Sequence, residues 1–452
     1  MADRQTFDLT RGPILNRLLL IAIPIMGTQV MQMTYNLIGM FWLGRLGGEA
    51  VAASGAAGMF IWLSMAFMML GRMGSEIGVS QSMGANDNEA AKRYSQSAVL
   101  IAAAAGALYA ALCLFFSRGL ISFFNIQEQN VAEDAARYLS IAGLGCLPMF
   151  VASAVAGTFT GSGNSRLPFY INALGLGLNI ILDPLLIFTF GLGITGAAIA
   201  MAIAQSVVGA LSLLALFMHK DRPFRSYSLP LIPDPVKIKR IFIWSAPIAV
   251  ESFLFTALTM IVSRFIASFG VNALAVSRIG SQVESLTWLI GGGFASAVTS
   301  FTGQNYGAKR WSRIHDCLGL SAAVMSIWGL LVTVFMFLYG RNVFQIFLQE
   351  PEVLRLGAEY MRILAFCQLP MCLEGVGASV FRGIGETVKP SIVSIVSNVL
   401  RVPLSYFLSV TSLGLMGLFI GVTAGACLRG VWMMIWILAR KRRLPVADEA
   451  AA

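Results

Sequence analysis

The chain is a series of long apolar stretches separated by short polar breaks. A helix needs about 20 apolar residues to cross the hydrocarbon core of a bilayer, and each stretch is long enough to do so. Twelve membrane-spanning helices are therefore predicted, over residues 14–44, 50–81, 94–117, 132–158, 167–190, 193–218, 238–269, 273–303, 314–339, 353–382, 390–411 and 414–439. This pattern predicts an all-α integral membrane protein with twelve transmembrane helices.

The composition agrees with lipid as the main solvent. Charged residues make up 12% of the 452 residues and hydrophobic residues 57%, with a mean hydropathy of +0.75, whereas soluble domains are about 25% charged. A soluble fold of this size would have to expose large apolar patches. The six cysteines lack metal-ligand spacing, and neither histidine lies near residues that would form a catalytic or metal site with it. We therefore expect no enzyme activity, no metal site and no cofactor.

The basic residues indicate the orientation of the helices. With a cytoplasmic N-terminus, 21 of the 32 Lys and Arg residues fall on the cytoplasmic side and six inside spans. Five fall on the outer side, namely Arg45, Arg118, Arg137, Arg341 and Arg355. This asymmetry is the one that the positive-inside rule predicts for an even number of helices. The net charge of +10 is thus a topology signal and does not indicate nucleic-acid binding, and both termini are expected in the cytoplasm.

The two halves of the chain repeat each other at an offset of 222–223 residues. Matching pairs include Pro24 with Pro247, Gly161 with Gly383, and Pro168 with Pro390. The expected domains are an N-lobe over residues 1–218, a cytoplasmic linker over 219–240 and a C-lobe over 241–452. Such parallel repeats are typical of secondary transporters, whose lobes rock to give alternating access.

Several motifs resemble the MATE (multidrug and toxic-compound extrusion) family. They are YNLIGMFWLGRLG at 35–47, GAN at 84–86, TGSGNSRLP at 160–168, NIILDP at 179–184, RGIGETVKP at 382–390 and RVPLSY at 401–406. The resemblance covers essentially the whole chain. It implies an antiporter in the bacterial inner membrane that exports organic, often cationic compounds while protons or sodium ions flow inward. The implied partners are a small-molecule substrate and the bilayer, and a monomer suffices.

The fifth predicted span carries the strongest candidate for ion coupling. An ionisable group at bilayer depth is costly unless it faces a cavity or a partner, so Asp183 is a functional candidate by default. Asn179 lies one helical turn earlier on the same face. In a low-dielectric cavity, protonation of Asp183 becomes possible at physiological pH. The Asn–Asp pair resembles the N-lobe ion site of the family, although a purely structural buried acid is the alternative.

The first predicted span adds a polar stripe of Gln29, Gln32, Asn36 and Gly39, with Tyr35 beside it. Spacing of this kind places one face of a helix toward the interior of the lobe. The resemblance assigns Gln32, Tyr35 and Asn36 to the N-lobe cavity. Gly39 stands where the family usually has an aspartate, so this chain lacks one of the two usual N-lobe carboxylates. Proton coupling through Asp183 is therefore expected rather than sodium coupling. The alternatives are that the coupling acid lies elsewhere, or that this copy is weakly coupled or inactive.

The C-lobe contains further charged residues within predicted spans. Glu251 is a candidate for coupling or for binding a cationic substrate, because some members of the family use an acid of the seventh span. Arg278, Glu284 and Glu374 are candidates for the substrate cavity. The alternative for both Glu284 and Glu374 is an ion pair with a nearby arginine.

Other functions remain as alternatives or are excluded. The main alternative is a flippase or exporter of a lipid-linked or anionic metabolite. A flippase would want a large cationic groove and extra helices, neither of which is evident, whereas the surplus of arginines over acids in the C-lobe leaves room for an anionic or zwitterionic substrate. A membrane acyl- or glycosyltransferase would need a catalytic site that the sequence does not show. An ATP-driven pump would need the phosphate-binding loop G-x-x-x-x-G-K-[ST], which is absent. The predicted energy source is thus an ion gradient.

Overall fold

The computed structural model describes residues 7–124, 126, 128–224, 226–228, 234–347, 350–443, 445 and 448. Over these residues it is α-helical, and no strand is present. The helices are α1 (Ile14–Gly44), α2 (Gly48–Gly84), α3 (Asn88–Ser122), α4 (Gln129–Leu144), α5 (Cys146–Gly161), α6 (Arg166–Pro184), α7 (Gly193–Met218), α8 (Pro235–Ala267), α9 (Val271–Gly307), α10 (Trp311–Phe347), α11 (Pro351–Gly383), α12 (Val388–Val410) and α13 (Gly414–Lys441). Arg4, Arg225 and residues 229–233 of the predicted linker lie outside the described residues.

These thirteen helices correspond to the twelve predicted spans. Helices α4 and α5 form one span, interrupted only at Gly145. Eleven of the spans in the described part of the chain are long and apolar enough to cross a membrane. The remaining one is α9, which has 37 residues but is less apolar because it contains Arg278, Glu284 and many small polar side chains. The prediction of an all-α protein with twelve membrane helices is confirmed.

The turn between α2 and α3 has the same backbone conformation as the corresponding turn in the second repeat. Asn86 has a φ of +58°, a left-handed conformation that asparagine tolerates better than most residues. Asp87 then caps α3, since its carboxylate accepts a hydrogen bond of 2.8 Å from the backbone N–H of Ala90. Lys309, at the repeat position of Asn86, has a φ of +55°. Both repeats therefore use the same left-handed turn after the second helix of each half.

The chain divides into two compact units, and each has its own apolar core. Unit 1 comprises Met1–Arg11 with Leu20–Ala249, and unit 2 comprises Gly12–Leu19 with Val250–Ala452. Each core includes fully buried phenylalanines, such as Phe150 in unit 1 and Phe344 in unit 2. The loop after α7 contributes to unit 1, because the hydroxyl of Tyr227 lies 3.1 Å from that of Ser95. The domain boundaries predicted at 218 and 241 stay a prediction.

Glycines at the ends of two repeated helices allow close packing within each unit. A Cβ on Gly161 would lie 2.7 Å from the carbonyl oxygen of Glu76 on α2. A Cβ on Gly383, its repeat partner, would lie 2.7 Å from the carbonyl oxygen of Thr299 on α9. Backbone atoms cannot move aside as a flexible side chain can. Each glycine therefore sets how closely its helix approaches a neighbour.

We expect Gly161→Ala to lower the free energy of unfolding by about 1–3 kcal/mol, the usual cost of overpacking. Gly177→Ala on α6 is the matched control, because a Cβ there meets no atom within 4 Å. The control should be neutral or stabilising by up to about 1 kcal/mol, since alanine is the better helix former. Thermal unfolding of both variants in detergent checks this, and equal stability of the two variants would contradict it.

Candidate ion and substrate site

A polar cavity in unit 1 lies between α1, α6 and α7. Its open volume is about 460 Å³, counting the space at its mouth. Amide, hydroxyl and apolar side chains are mixed in its wall, which consists of Thr28, Met31, Gln32, Tyr35, Asn172, Gly175, Leu176, Asn179, Ala204, Gln205 and Val208. The cavity can therefore offer several hydrogen-bonding groups beside an apolar surface.

Asn179 lines this cavity, and Asp183, which is not among the lining residues, lies one turn further along α6. Both are buried, with exposed fractions of 1% and 4%. The amide of Asn179 lies close enough to the carboxylate of Asp183 to interact with it, although its nitrogen and oxygen make no hydrogen bond of regular geometry among the described residues. Buried polar groups are normally hydrogen-bonded, so this amide can also serve a ligand or a water molecule. Within the same described ranges, no Lys or Arg forms an ion pair with Asp183. The carboxylate is thus buried without a cationic partner.

Two tyrosines complete the surroundings of this carboxylate. Tyr35 of α1 and Tyr138 of α4 are close enough to Asp183 to interact with it electrostatically. Tyr35 was predicted to lie in the site and Tyr138 was not, although Tyr138 is repeated as Tyr360 in the second half. Asn172 and Gln205 were not predicted either. Asn172 could have been found, because it lies seven residues before Asn179 on the same helical face.

Asp183 lies where the regular geometry of α6 ends. Pro184 lacks an N–H group and cannot bond to the carbonyl of Ile180, four residues earlier. The chain continues as a π-helical turn over Leu185–Thr189, closed by a hydrogen bond of 2.9 Å from the Phe190 N–H to the Leu185 carbonyl. Such turns occur frequently at functional sites. The local backbone here has fewer helical hydrogen bonds to break than a regular helix has.

The first helix turns a different face to the cavity than its polar stripe predicted. Gln32 and Tyr35 line the cavity together with Thr28 and Met31. Gln29, Asn36 and Gly39 are not among the lining residues, and Asn36 is exposed. The lining positions follow the i, i+3, i+4, i+7 spacing of one helical face. Roles for Gln29, Asn36 and Gly39 in ion coupling or substrate binding stay predictions.

We expect Gly39→Asp to make transport responsive to sodium. A Cβ at position 39 would meet no atom within 4 Å, and aspartate is a better helix former than glycine, so the fold should tolerate the change. The added carboxylate supplies oxygen ligands of the kind that hard cations prefer. Sodium should stimulate the initial transport rate of the variant in liposomes several-fold and leave the wild type unchanged.

The matched control for this variant is Gly44→Asp, since Gly44 belongs to the same helix and a Cβ there also meets no atom within 4 Å. Equal sodium stimulation of both variants would contradict a specific role for position 39, as would no stimulation of either.

The acidic candidates of unit 2 are paired with arginines. Glu251 on α8 lies 3.6 Å from the guanidinium of Arg382 and accepts a hydrogen bond of 2.9 Å from the Ser391 hydroxyl. Glu374 on α11 lies 3.3 Å from Nε of Arg429 on α13. The side chains of this second pair are only 9% and 8% exposed. The ion-pair alternative considered for Glu374 is therefore what the structure shows.

Of the two remaining charged candidates, Glu284 lies close to these ion pairs and Arg278 does not. Glu284 on α9 interacts electrostatically with Arg429 and Arg401, and Glu374 does so with Glu251. The guanidinium of Arg401 donates a hydrogen bond of 3.1 Å to the Thr259 hydroxyl. The charge cluster, defined as Glu251, Glu284, Glu374, Arg382, Arg401 and Arg429, thus contains equal numbers of acids and bases. Arg278 is exposed on α9 and is not part of it.

The loop between α11 and α12 is held to the end of α13 by another acid. Glu386 accepts hydrogen bonds from Lys389 at 2.6 Å and from Nε of Arg440 at 2.9 Å. Burial would raise the pKa of Glu386, but these two hydrogen bonds and positive charges outweigh it and hold the pKa below its ordinary value. The contribution of this link to stability is therefore present at neutral pH and is lost only as the pH falls through the lowered pKa.

Comparison with known proteins places these features in a family. The MatE family model matches residues 24–185 and 247–407, one match in each repeat. The chain is 29% identical over 449 residues to a probable multidrug resistance protein NorM from Deinococcus radiodurans, covering 95% of this chain and 96% of the relative. It is 24% identical over 434 residues to a NorM protein of the same description from Thermotoga maritima, covering 95% and 93%.

A solved structure has the same fold. It is an outward-facing multidrug resistance MATE family transporter of the MOP superfamily, with a TM-score of 0.89 and 23% identity over 97% of this chain and 98% of that one. The resemblance noted from the sequence motifs is confirmed, and so is the expectation that the protein is not an enzyme. Because the two matches of the family model together span more than half of the chain, the protein belongs to the MatE family of membrane transporters.

Proposed function

We propose that this protein is a secondary antiporter that exports organic, amphipathic cations in exchange for protons. The observation that carries the proposal is Asp183, a buried carboxylate with no ion-pair partner among the described residues, one turn from the amide of Asn179, which lines the polar cavity. A membrane-embedded acid of this kind is typical of proton and substrate pathways. The two lobes alternate access to the site, as parallel repeats commonly do.

Exchange follows from competition for one carboxylate. An ionised Asp183 is costly at bilayer depth, and either a proton or a bound organic cation removes that cost. When one ligand leaves, the other is favoured. Since each ligand changes the charge of the site, each can bias the conformational equilibrium by its differential affinity for the two states.

Protons are the proposed coupling ion because the site offers few ligands to sodium. Asp183 supplies the only carboxylate named at this site, and Gly39 supplies no side-chain oxygen. The amide of Asn179 and the hydroxyl of Tyr35 are neutral groups that can both donate and accept hydrogen bonds, to a water molecule or to a substrate. No further cofactor is proposed.

The proposed substrate class rests on the cavity and on the relatives. Met31, Leu176 and Val208 give the cavity an apolar wall beside its amides, which suits molecules with an apolar body and one charge. The relatives described above carry the name multidrug resistance protein. The balanced charge cluster of unit 2 does not favour the alternative of an anionic metabolite.

The proposed location is the bacterial inner membrane, with both termini in the cytoplasm. The distribution of Lys and Arg supports this orientation. One copy of the chain contains both repeats and the whole cavity, so we propose that a monomer is the functional unit.

The proposal is tested with the purified protein in liposomes and a fluorescent lipophilic cation. A pH gradient alone should drive accumulation of the cation against its concentration gradient, and a sodium gradient alone should not. Accumulation driven by sodium in the absence of a pH gradient would contradict proton coupling. Absence of accumulation under either gradient would contradict the proposed substrate class.

A further inference from the structure

A second cavity in unit 1 lies between the last turns of α3 and the first turns of α4. Its volume is about 520 Å³ including its mouth. Its wall contains two arginines, one acid and two hydroxyl groups, and consists of Ser117, Arg118, Glu133, Ala136, Arg137 and Ser140. It shares no residue with the polar cavity described above, so the proposed transport function does not account for it.

The two guanidinium groups of this cavity have no bound acid. Neither Arg118 nor Arg137 forms an ion pair or a side-chain hydrogen bond within the described ranges. Glu133 lies four residues before Arg137 on α4, yet its carboxylate accepts a hydrogen bond of 3.3 Å from Gln129 instead. Two positive charges therefore face one open space with a single negative charge beside them.

The second repeat shows that this arrangement is not forced by the helix. Arg355 and Glu359 occupy the repeat positions of Glu133 and Arg137, with the charges exchanged. There the two side chains close an ion pair of 3.0 Å. An acid placed four residues before a base is the more favourable order on a helix, so the pair in unit 1 would be expected to close more readily. It is open nevertheless, which leaves Arg137 available to another anion.

The cavity lies at the end of α3, a helix long and apolar enough to span a bilayer, and the end of such a helix is at the level of the lipid head groups. Phe115, Phe116 and Phe123 at the same end of α3 are largely exposed and give an apolar surface. A lipid there would lay its acyl chains along this apolar surface and its phosphate at the arginines. The net charge of the cavity wall, +1 from two arginines and one glutamate, is complementary to a head group of charge −1.

We propose that this cavity binds the phosphodiester head group of an anionic phospholipid. Guanidinium groups bind phosphate oxygens by charge-assisted, often bidentate hydrogen bonds. Arg118 and Arg137 hold the phosphate, and Ser117 and Ser140 are placed to contact the hydroxyl groups of a glycerol head group. In the orientation proposed above, the lipid belongs to the outer leaflet, but binding itself does not depend on that orientation.

Native mass spectrometry of the detergent-purified full chain tests this proposal with phosphatidylglycerol, phosphatidylethanolamine and a neutral galactolipid as probes. The wild type should retain phosphatidylglycerol in preference to the other two. The double variant Arg118→Gln, Arg137→Gln should retain it at least about tenfold less, because two charge-assisted hydrogen-bonding groups are lost. The control Arg355→Gln, at the paired site of the second repeat, should behave as the wild type.

Three results would overturn the proposal. Unchanged retention of phosphatidylglycerol by the double variant would show that the arginines do not bind the lipid. Equal retention of phosphatidylethanolamine would show that the site does not select an anionic head group. Displacement of the lipid by millimolar inorganic phosphate would identify a free-phosphate site. If the double variant unfolds, Arg118→Lys, Arg137→Lys replaces it: because a lysine cannot bind phosphate bidentately, weaker retention supports the proposal and unchanged retention contradicts it.

Discussion

Asp183→Asn is expected to abolish proton-driven transport while the protein remains folded. Asparagine has almost the same shape as aspartate but cannot exchange a proton or attract a cation by charge. The initial rate under a pH gradient should fall by at least about a hundredfold, the low end of what general acid–base groups contribute to proton transfer. Stability should be unchanged or higher, since a buried carboxylate without an ion-pair partner is itself costly.

Two measurements make this prediction specific. Gradient-driven uptake in liposomes gives the rate, and thermal unfolding shows that the variant is folded. Asp134→Asn is the matched control, because Asp134 is a half-buried aspartate that lies on another helix, α4, away from Asn179 and Pro184 of α6. Proton-driven uptake that survives in the Asp183 variant would move the coupling group to unit 2, where Glu251 would be the next residue to replace.

Glu374→Gln is expected to lower the free energy of unfolding by about 3–5 kcal/mol, the usual cost of breaking a buried ion pair by removing one partner. The cost is large because Arg429 would keep its charge at a position that is only 8% exposed. Arg429→Gln should have a similar effect for the same reason. The double variant should be more stable than the sum of the two single effects predicts, since it leaves no buried charge of this pair uncompensated.

Chemical unfolding in detergent of the wild type, both single variants and the double variant measures this coupling. Glu359→Gln is the control, because its ion pair with Arg355 is exposed and such pairs contribute at most about 1 kcal/mol. Additive effects of the two substitutions would show that Glu374 and Arg429 do not stabilise each other. A stable Glu374→Gln variant would show that the acid contributes to binding rather than to the fold.

The helices could be predicted from the sequence because the bilayer limits what a segment can do. A helix that spans the bilayer must be long and apolar and must satisfy its own backbone hydrogen bonds. Each of the twelve spans therefore appears in the sequence as a long apolar stretch. Even α9, which is less apolar, was predicted, because it remains a long and mainly apolar stretch despite its polar residues. The interruption at Gly145 and the π-helical turn after Pro184 depend on local geometry and were not predicted.

The cavity could be predicted only in part, because the rotation of a helix is decided by its neighbours. Gln32, Tyr35 and Asn179 line it, whereas Asp183, Gln29, Asn36 and Gly39 are not among its lining residues. Polar residues occur on more than one face of α1, so the sequence alone does not decide which face lines the cavity. Likewise, no sequence pattern joins Glu374 to Arg429, which are on different helices and meet only in the folded unit.

Proton movement driven by the substrate tests proton-coupled exchange at Asp183 most directly. An outward gradient of a lipophilic cation is imposed on liposomes containing the protein, without a pH gradient, and the internal pH is followed. The wild type should carry protons inward as the cation leaves, so the interior should acidify, and the Asp183→Asn variant should show no such change. Cation efflux by the wild type without proton entry, or equal acidification by the variant, would contradict this mechanism.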